Sequence, residues 1–119
     1  MLDLVKLEAL GLNTGEGILF CAEDPEFYEE MLLEYVDAAP AGAEELNRCV
    51  RERDWRGYVI RAHSIKNTSR LIGARALSEL AREQEAAAKT GDASAVLPRH
   101  ETFVHAYQKL ADTIQEALP

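Results

Sequence analysis

His63 and Lys66 are the side chains of this sequence best suited to chemistry, because of their types and their spacing. A neutral imidazole is a nitrogen nucleophile near neutral pH and can form a bond to phosphorus. On a helix, a residue three positions further along lies on the same side, so the Lys66 ammonium can neutralise an anion held on His63. The pair therefore indicates a histidine that carries an anionic group such as a phosphoryl group.

The surroundings of His63 follow from a helical projection of residues 54–72. At 100° per residue, the apolar positions cluster on one side, roughly 140° away from His63, so the imidazole is expected in solvent. The apolar side is formed by Tyr58, Ala62, Ile65, Ser69 and Ile72. The outer face around His63 is formed by Arg56, Ile60, Asn67 and Arg70, with Lys66 on its flank.

The charge of the chain is uneven. The protein has 119 residues and a net charge of −8, yet residues 51–75 hold seven of its 13 basic residues and only two of its 21 acids. One basic segment on an acidic body indicates an anion that is handled locally, although a solvated helix face rich in arginine explains the same charges. The acidic surface argues against a nucleic-acid partner, because it repels a phosphate backbone.

The elements that position this face are expected to be helices throughout. Ala, Leu, Glu and Arg dominate the sequence, and no segment shows the alternation of a half-buried strand. Two short helices are expected in residues 1–22, the first from the spacing of Leu2, Val5 and Ala9 and the second capped by Thr14.

Longer helices follow in the remainder of the chain. One is expected to start at Asp24, an N-cap residue followed by proline, and to be interrupted or kinked at Pro40. The next starts at Asp54 and breaks at Gly73, and a further helix stops at Gly91, since glycine commonly ends helices.

Ser94 is expected to cap the last helix, with Pro98 in its first turn. A seam spaced for a helical bundle follows, formed by Phe103, Tyr107, Leu110, Ile114 and Ala117. Because the connections are short, the sequence predicts an all-α, up-and-down antiparallel four-helix bundle with short N-terminal capping helices. It is expected to be a single domain, with the capping helices in residues 1–22 and the bundle in residues 24–118.

The segment Ala-His-Ser-Ile-Lys-Asn-Thr-Ser-Arg-Leu-Ile-Gly-Ala at residues 62–74 resembles the signature of histidine-containing phosphotransfer (HPt) domains. That signature has an Ala-His-x-Leu-Lys-Gly core and an Ile/Leu-Gly-Ala closure. Further similarity lies in residues 28–33, Asp54-Trp55, Leu77, Leu80, Glu85 and Gly91-Asp92. The resemblance implies a carrier that holds a phosphoryl group on histidine, between the aspartates of receiver domains, in a multistep phosphorelay.

The family roles transfer to individual positions of this chain. The resemblance implies that His63 is the phosphoacceptor through Nε2 and that Lys66 balances the phosphoryl charge. It places Glu85 where a carboxylate or amide of the next helix can bond the other imidazole nitrogen; Gln84 serves instead if the helix is rotated slightly. Asn67 departs from the family pattern, which usually has glycine there. Its side chain is expected to narrow partner choice, to add a hydrogen bond to phosphate or to slow transfer.

Receiver domains, and a hybrid sensor kinase, are the partners that the resemblance implies, and the receiver supplies its own aspartate and Mg²⁺. We expect docking on an apolar spot and the cations around it, formed by Val59, Ile60, Arg56, Lys66 and Arg70. No glycine-rich nucleotide loop is present, so no cofactor and no kinase activity are expected. Two alternatives remain: an HPt-fold interaction module without turnover, and a phosphorylation domain modified by a separate ATP-binding domain.

The other candidate residues carry little chemistry. His100 and His105 lie about 140° apart on a helix, and the pair Glu101 and His105 has no second pair, so no metal site is expected. Cys21 and Cys49 lack CxxC spacing and are expected to be reduced and buried. Without an apolar run long enough to span a membrane or a signal peptide, the chain is expected in the cytoplasm. A closed bundle with a polar outer surface is expected to be a monomer.

Overall fold

The structure is a computed structural model that describes residues 2–119. This part of the chain contains six helices. They are α1 (Leu4–Ala9), α2 (Thr14–Phe20), α3 (Pro25–Arg51), α4 (Trp55–Leu71), α5 (Arg75–Lys89) and α6 (Ala93–Ala117). Helices α3 and α5 each pack against both α4 and α6, which closes a four-helix ring. Three residues separate consecutive helices of the ring, so neighbours run antiparallel. The predicted all-α bundle is confirmed.

The two N-terminal helices cover one part of the bundle. Helix α1 contacts α2 and α6, while α2 contacts α3 and α4. The apolar pattern expected for α1 is wrong: Leu7 is its buried residue, and Val5 is 81% exposed. The cap expected for α2 is also shifted by one residue, because Asn13 rather than Thr14 accepts a hydrogen bond from the Glu16 N–H.

Proline positions differ from the expectations at both long helices. Helix α3 runs unbroken through Pro40, so an interruption there is wrong, while a bend stays a prediction. Helix α6 starts after Asp92, whose carboxylate accepts hydrogen bonds from both the N–H and the hydroxyl of Ser94. Asp92 is therefore the N-cap in place of Ser94, and Pro98 lies in the second turn instead of the first.

The core contains the residues that the projection of α4 placed inward. Tyr58, Ala62, Ile65, Ser69 and Ile72 are all buried. Ser69 is tolerated there because its hydroxyl and that of Tyr35, on α3, lie 2.7 Å apart in a hydrogen bond. This packing fixes the rotation of α4 about its axis, and with it the direction of the outer face.

Gly73 ends α4 and fixes its position relative to α2. Its φ is +84°, a backbone conformation that favours glycine, and its carbonyl accepts a 2.9 Å hydrogen bond from the Asn13 N–H. A Cβ at residue 73 would lie 2.1 Å from the Asn13 carbonyl oxygen. The predicted break is confirmed, and no side chain fits at this contact.

We expect Gly73→Ala to lower the free energy of unfolding by about 3 kcal/mol, since backbone strain and a backbone clash add together. Gly91→Ala is the matched control, because Gly91 also has a positive φ but open space around it, so strain alone costs roughly 1 kcal/mol. Urea unfolding of both variants measures the difference. Equal losses would show that the Asn13 contact does not constrain residue 73.

Candidate functional site

His63 lies on the outer face of α4, and 54% of its side-chain surface is exposed. Asp54 caps this helix through a 2.8 Å hydrogen bond from the Gly57 N–H, and the buried residues of α4 hold it against α3 and α5. The outward direction of the imidazole predicted from the helical projection is therefore confirmed. A group on another molecule can approach the ring from solvent.

The inner nitrogen of the imidazole is held by a carboxylate of α5. His63 Nδ1 lies 2.8 Å from Glu85 Oε2, and the other carboxylate oxygen accepts a 2.7 Å hydrogen bond from Lys66 Nζ. Lys89 Nζ adds a longer ion pair of 3.6 Å with Oε2. Glu85 is only 5% exposed, so a nearly buried carboxylate lies among one imidazole and two ammonium groups.

The charge on Glu85 decides which nitrogen of the neutral imidazole carries the proton. Burial raises the pKa of this carboxyl, but the hydrogen bonds from Lys66 and His63 outweigh it, and the net pKa lies below the usual value. Glu85 is therefore an ionised carboxylate near neutral pH and can only accept hydrogen bonds. Nδ1 must then carry the proton, and Nε2 of the neutral ring holds its lone pair on the solvent side.

The outer nitrogen of the imidazole contacts a side chain of its own helix. Asn67 Nδ2 lies 3.2 Å from His63 Nε2, in a contact that is exposed to solvent. Because Nε2 holds a lone pair, the Asn67 amide is the donor. The sequence placed these two residues on one face, but it did not indicate this hydrogen bond.

Gln84 does not reach the imidazole, so the alternative that places it there is wrong for this structure. Its amide is buried and donates hydrogen bonds to Tyr58 Oη at 3.1 Å and to the Val96 carbonyl at 3.0 Å. The rotation of α5 points Glu85 toward α4 and Gln84 into the interior. Gln84 is a structural residue of the core.

His100 completes the same buried network, which the sequence did not reveal. Its Nδ1 lies 3.0 Å from Tyr58 Oη, and its Nε2 lies 2.8 Å from Asn47 Oδ1. Burial lowers the pKa of His100, so the ring is neutral near pH 7. It then accepts from Tyr58 and donates to Asn47, which satisfies both nitrogens.

The cations and apolar residues expected around His63 divide into two groups. Arg56 and Ile60 are exposed, with Ile60 at 65%, and Val59 is half-buried. Arg70 instead stacks on the ring of Phe20, with its guanidinium carbon 5.5 Å from the ring centroid. Phe20, Asn67, Arg70 and Leu71 line one surface depression.

Phe20 is a candidate docking residue that sequence reasoning missed. It lies at the end of α2, outside the segment that carries His63, and it is 40% exposed. No local pattern relates a residue of α2 to the outer face of α4. The signal available from the sequence was limited to an aromatic residue at the end of a short helix.

Part of the basic segment has a structural role. Arg51 forms a 3.1 Å ion pair with Glu44, and Arg75 pairs with Glu16 of α2. Lys66 is bound by Glu85 as described. The positive charge of residues 51–75 is therefore distributed over the surface of the bundle as well as around His63.

Residues 2–119 contain no group of three or more His, Cys, Asp or Glu side chains arranged to hold a metal ion. Cys21 and Cys49 are buried free thiols, as predicted. No helix in this part of the chain is long and apolar enough to span a membrane.

The fold and the site define a helical-bundle protein with an exposed histidine, His63, that is bound to a carboxylate. The Hpt domain family model matches residues 30–118, so the chain belongs to the Hpt domain family, the histidine-containing phosphotransfer modules of two-component phosphorelays. Domains of this family are phosphotransfer carriers rather than kinases, and they interact with receiver domains and kinases. The resemblance of residues 62–74 to the HPt signature is confirmed by this match.

A solved structure supports the fold. The crystal structure of the HPT domain from an Hpt sensor hybrid histidine kinase of Shewanella superposes with a TM-score of 0.79 at 18% sequence identity. The match covers 90% of this chain and 92% of the other. None of the curated proteins matches this chain.

We expect Glu85→Gln to weaken the preference of His63 for the Nδ1–H tautomer. A glutamine side chain both donates and accepts, so it can also donate to a deprotonated Nδ1, which a carboxylate cannot do. Imidazole ¹⁵N chemical shifts of the unphosphorylated protein at alkaline pH measure the tautomer ratio.

Glu83→Gln is the control for this substitution, because Glu83 is on the same helix and pairs with Arg99. The control is expected to leave the tautomer ratio unchanged. An unchanged ratio in Glu85→Gln would contradict the orienting role of the carboxylate.

Proposed function

We propose that this protein carries a phosphoryl group on His63 Nε2, which it accepts from a receiver-domain aspartate and passes to another receiver, in a His–Asp multistep phosphorelay. The observation that carries this proposal is an exposed imidazole whose Nδ1 is held by the nearly buried carboxylate of Glu85. That bond directs the Nε2 lone pair to the side from which a partner approaches.

The transfer step needs no proton movement in this arrangement. The Nε2 lone pair forms a bond to phosphorus, while the bond from phosphorus to the aspartate oxygen of the receiver breaks and its electron pair leaves with the carboxylate. The ring keeps its Nδ1 proton and becomes positively charged. The ionised Glu85 carboxylate, 2.8 Å away, stabilises that charge.

Lys66 is proposed to offset the negative charge of the phosphoryl group. Its ammonium has three donors and gives one to Glu85 at 2.7 Å, and a quarter of its side-chain surface is exposed. The Glu85 contact holds the cation beside the imidazole. The chain itself supplies no metal in this proposal, and the receiver domain brings the Mg²⁺ that the reaction uses.

We expect a phosphorylated receiver domain to label this protein, in an adduct that is labile in acid and stable in base. His63→Gln is expected to abolish labelling, because no other histidine within residues 2–119 presents an exposed nitrogen while a carboxylate holds its Nδ1. His105→Gln is the matched control, since His105 is exposed on α6, and it is expected to label fully. Gel-based transfer of ³²P measures the result, and label that persists in His63→Gln would contradict the assignment.

A second function is favoured by one observation, the Asn67 amide on Nε2. A permanently blocked nucleophile would make the protein an interaction module that binds a receiver without turnover. The same transfer experiment separates the two functions, because a receiver that binds but never transfers label supports the interaction module. Candidate kinase cores assayed in parallel identify a direct kinase donor.

The docking surface that we propose surrounds His63 and consists of Phe20, Arg56, Val59, Ile60, Asn67 and Arg70. Its exposed apolar side chains are Ile60 and Phe20, and Arg70 stacks on the Phe20 ring. Aromatic residues and arginine are enriched at protein interfaces. The arginines attract acidic groups on a receiver and raise the rate of encounter. Phe20 extends this surface from α4 onto α2.

We expect Phe20→Ala and Ile60→Ala each to weaken receiver binding about fivefold, the loss typical of removing one apolar side chain from an interface. Leu97→Ala is the control, because Leu97 is 44% exposed on α6, which contributes nothing to this surface. Titration of a receiver, followed by NMR or calorimetry, gives the dissociation constants. Equal dissociation constants for Phe20→Ala and wild type would show that α2 does not contribute to the docking surface.

A further inference from the structure

The Asn67 amide contacts His63 Nε2, the nitrogen that must attack phosphorus. Its Nδ2 lies 3.2 Å from His63 Nε2, one helical turn away on α4. Since Nδ1 donates to the ionised Glu85, the single lone pair of the neutral ring is on Nε2, and this lone pair accepts the Asn67 N–H. The Asn67 amide is therefore hydrogen-bonded to the lone pair that acts as the nucleophile.

The contact is incompatible with phosphoryl transfer. The bond from nitrogen to phosphorus forms along the direction of the lone pair and is much shorter than the 3.2 Å contact. The amide nitrogen and the incoming phosphorus therefore cannot occupy that side of Nε2 together. Asn67 is exposed, so its side chain is free to rotate into solvent and uncover the lone pair.

We propose that Asn67 is a gate on His63: the amide covers Nε2 in the unphosphorylated protein, and only the rotated state accepts a phosphoryl group. This inference rests on the proposed function of His63 as phosphoacceptor. The gate lowers the rate of loading and discriminates among partners, because a receiver that holds the Asn67 side chain in its rotated position loads His63 faster.

The gate acts in one direction of transfer. The Asn67 hydrogen bond stabilises the unphosphorylated ring and is already broken when the bond to phosphorus forms. A substitution that removes the Asn67 amide therefore lowers the barrier to loading. In phosphohistidine, Nε2 has no lone pair to accept this bond. The barrier to release is therefore independent of the contact.

Phosphoramidate tests the gate without any protein partner. Nε2 forms the bond to phosphorus, while the bond from phosphorus to the protonated nitrogen of phosphoramidate breaks and its electron pair leaves with that nitrogen as ammonia. We expect Asn67→Ala to load about two to five times faster than wild type, the effect of removing one exposed neutral hydrogen bond. The rate at which the purified phosphorylated protein loses its phosphoryl group is expected to be the same in Asn67→Ala and wild type.

Thr68→Ala is the matched control for these rates. Thr68 is the next residue of α4 and is also exposed, but its hydroxyl bonds the carbonyls of Ser64 and Ile65. We expect both rates to equal those of wild type. Equal loading in Asn67→Ala would show that the contact does not obstruct Nε2. Slower loading or faster release would show that the amide assists the phosphoryl group. Each of these results overturns the gate.

Imidazole ¹⁵N shifts of the unphosphorylated protein test the contact itself. We expect the His63 Nε2 resonance to shift in Asn67→Ala and to stay unchanged in Thr68→Ala, since only the first substitution removes a hydrogen-bond donor. An unshifted resonance overturns the gate. If the resonance shifts but wild-type protein takes no label from phosphoramidate or from receivers, the proposed function fails and the gate fails with it, while the contact stands.

Discussion

The chemistry of this protein depends on the Glu85 carboxylate between α4 and α5. A carboxylate that is 5% exposed is costly unless it is paired, and Lys66, Lys89 and the His63 imidazole provide its partners. The same contacts keep it ionised, which forces the proton of the ring onto Nδ1. One buried charge therefore sets the tautomer, the orientation of the ring and the location of the nucleophilic lone pair.

The bundle maintains this geometry from the opposite side of the same helices. Tyr58 of α4, Gln84 of α5 and His100 of α6 share a buried hydrogen-bond network. Because Gln84 and Glu85 are adjacent in sequence, the network that holds Gln84 inside the bundle also orients Glu85 toward His63. The core and the surface site are thus coupled through the rotation of α5 about its axis.

The basic segment has a less direct relation to the site than its charge indicates. Arg51 and Arg75 pair with acids on α3 and α2, and Arg70 stacks on Phe20. Exposed ion pairs of this kind contribute little to stability, so their main effect is on the charge that a partner meets. The cation beside the imidazole is Lys66, and Glu85 holds it there.

The sequence by itself determined the four-helix architecture, the approximate extent of most helices and the exposure of His63. These features follow from helical periodicity and from local capping, which act within a few residues of one another. Where two capping residues stood close together, at Asn13 and Thr14 or at Asp92 and Ser94, local rules did not choose between them. The tertiary structure decided which residue bonds the imidazole, because the rotation of α5 about its axis, set by packing, turns Glu85 toward His63 and Gln84 into the core. It also placed Phe20 on Arg70 and the Asn67 amide on Nε2, since packing between helices and side-chain torsions are not encoded in spacing along the chain.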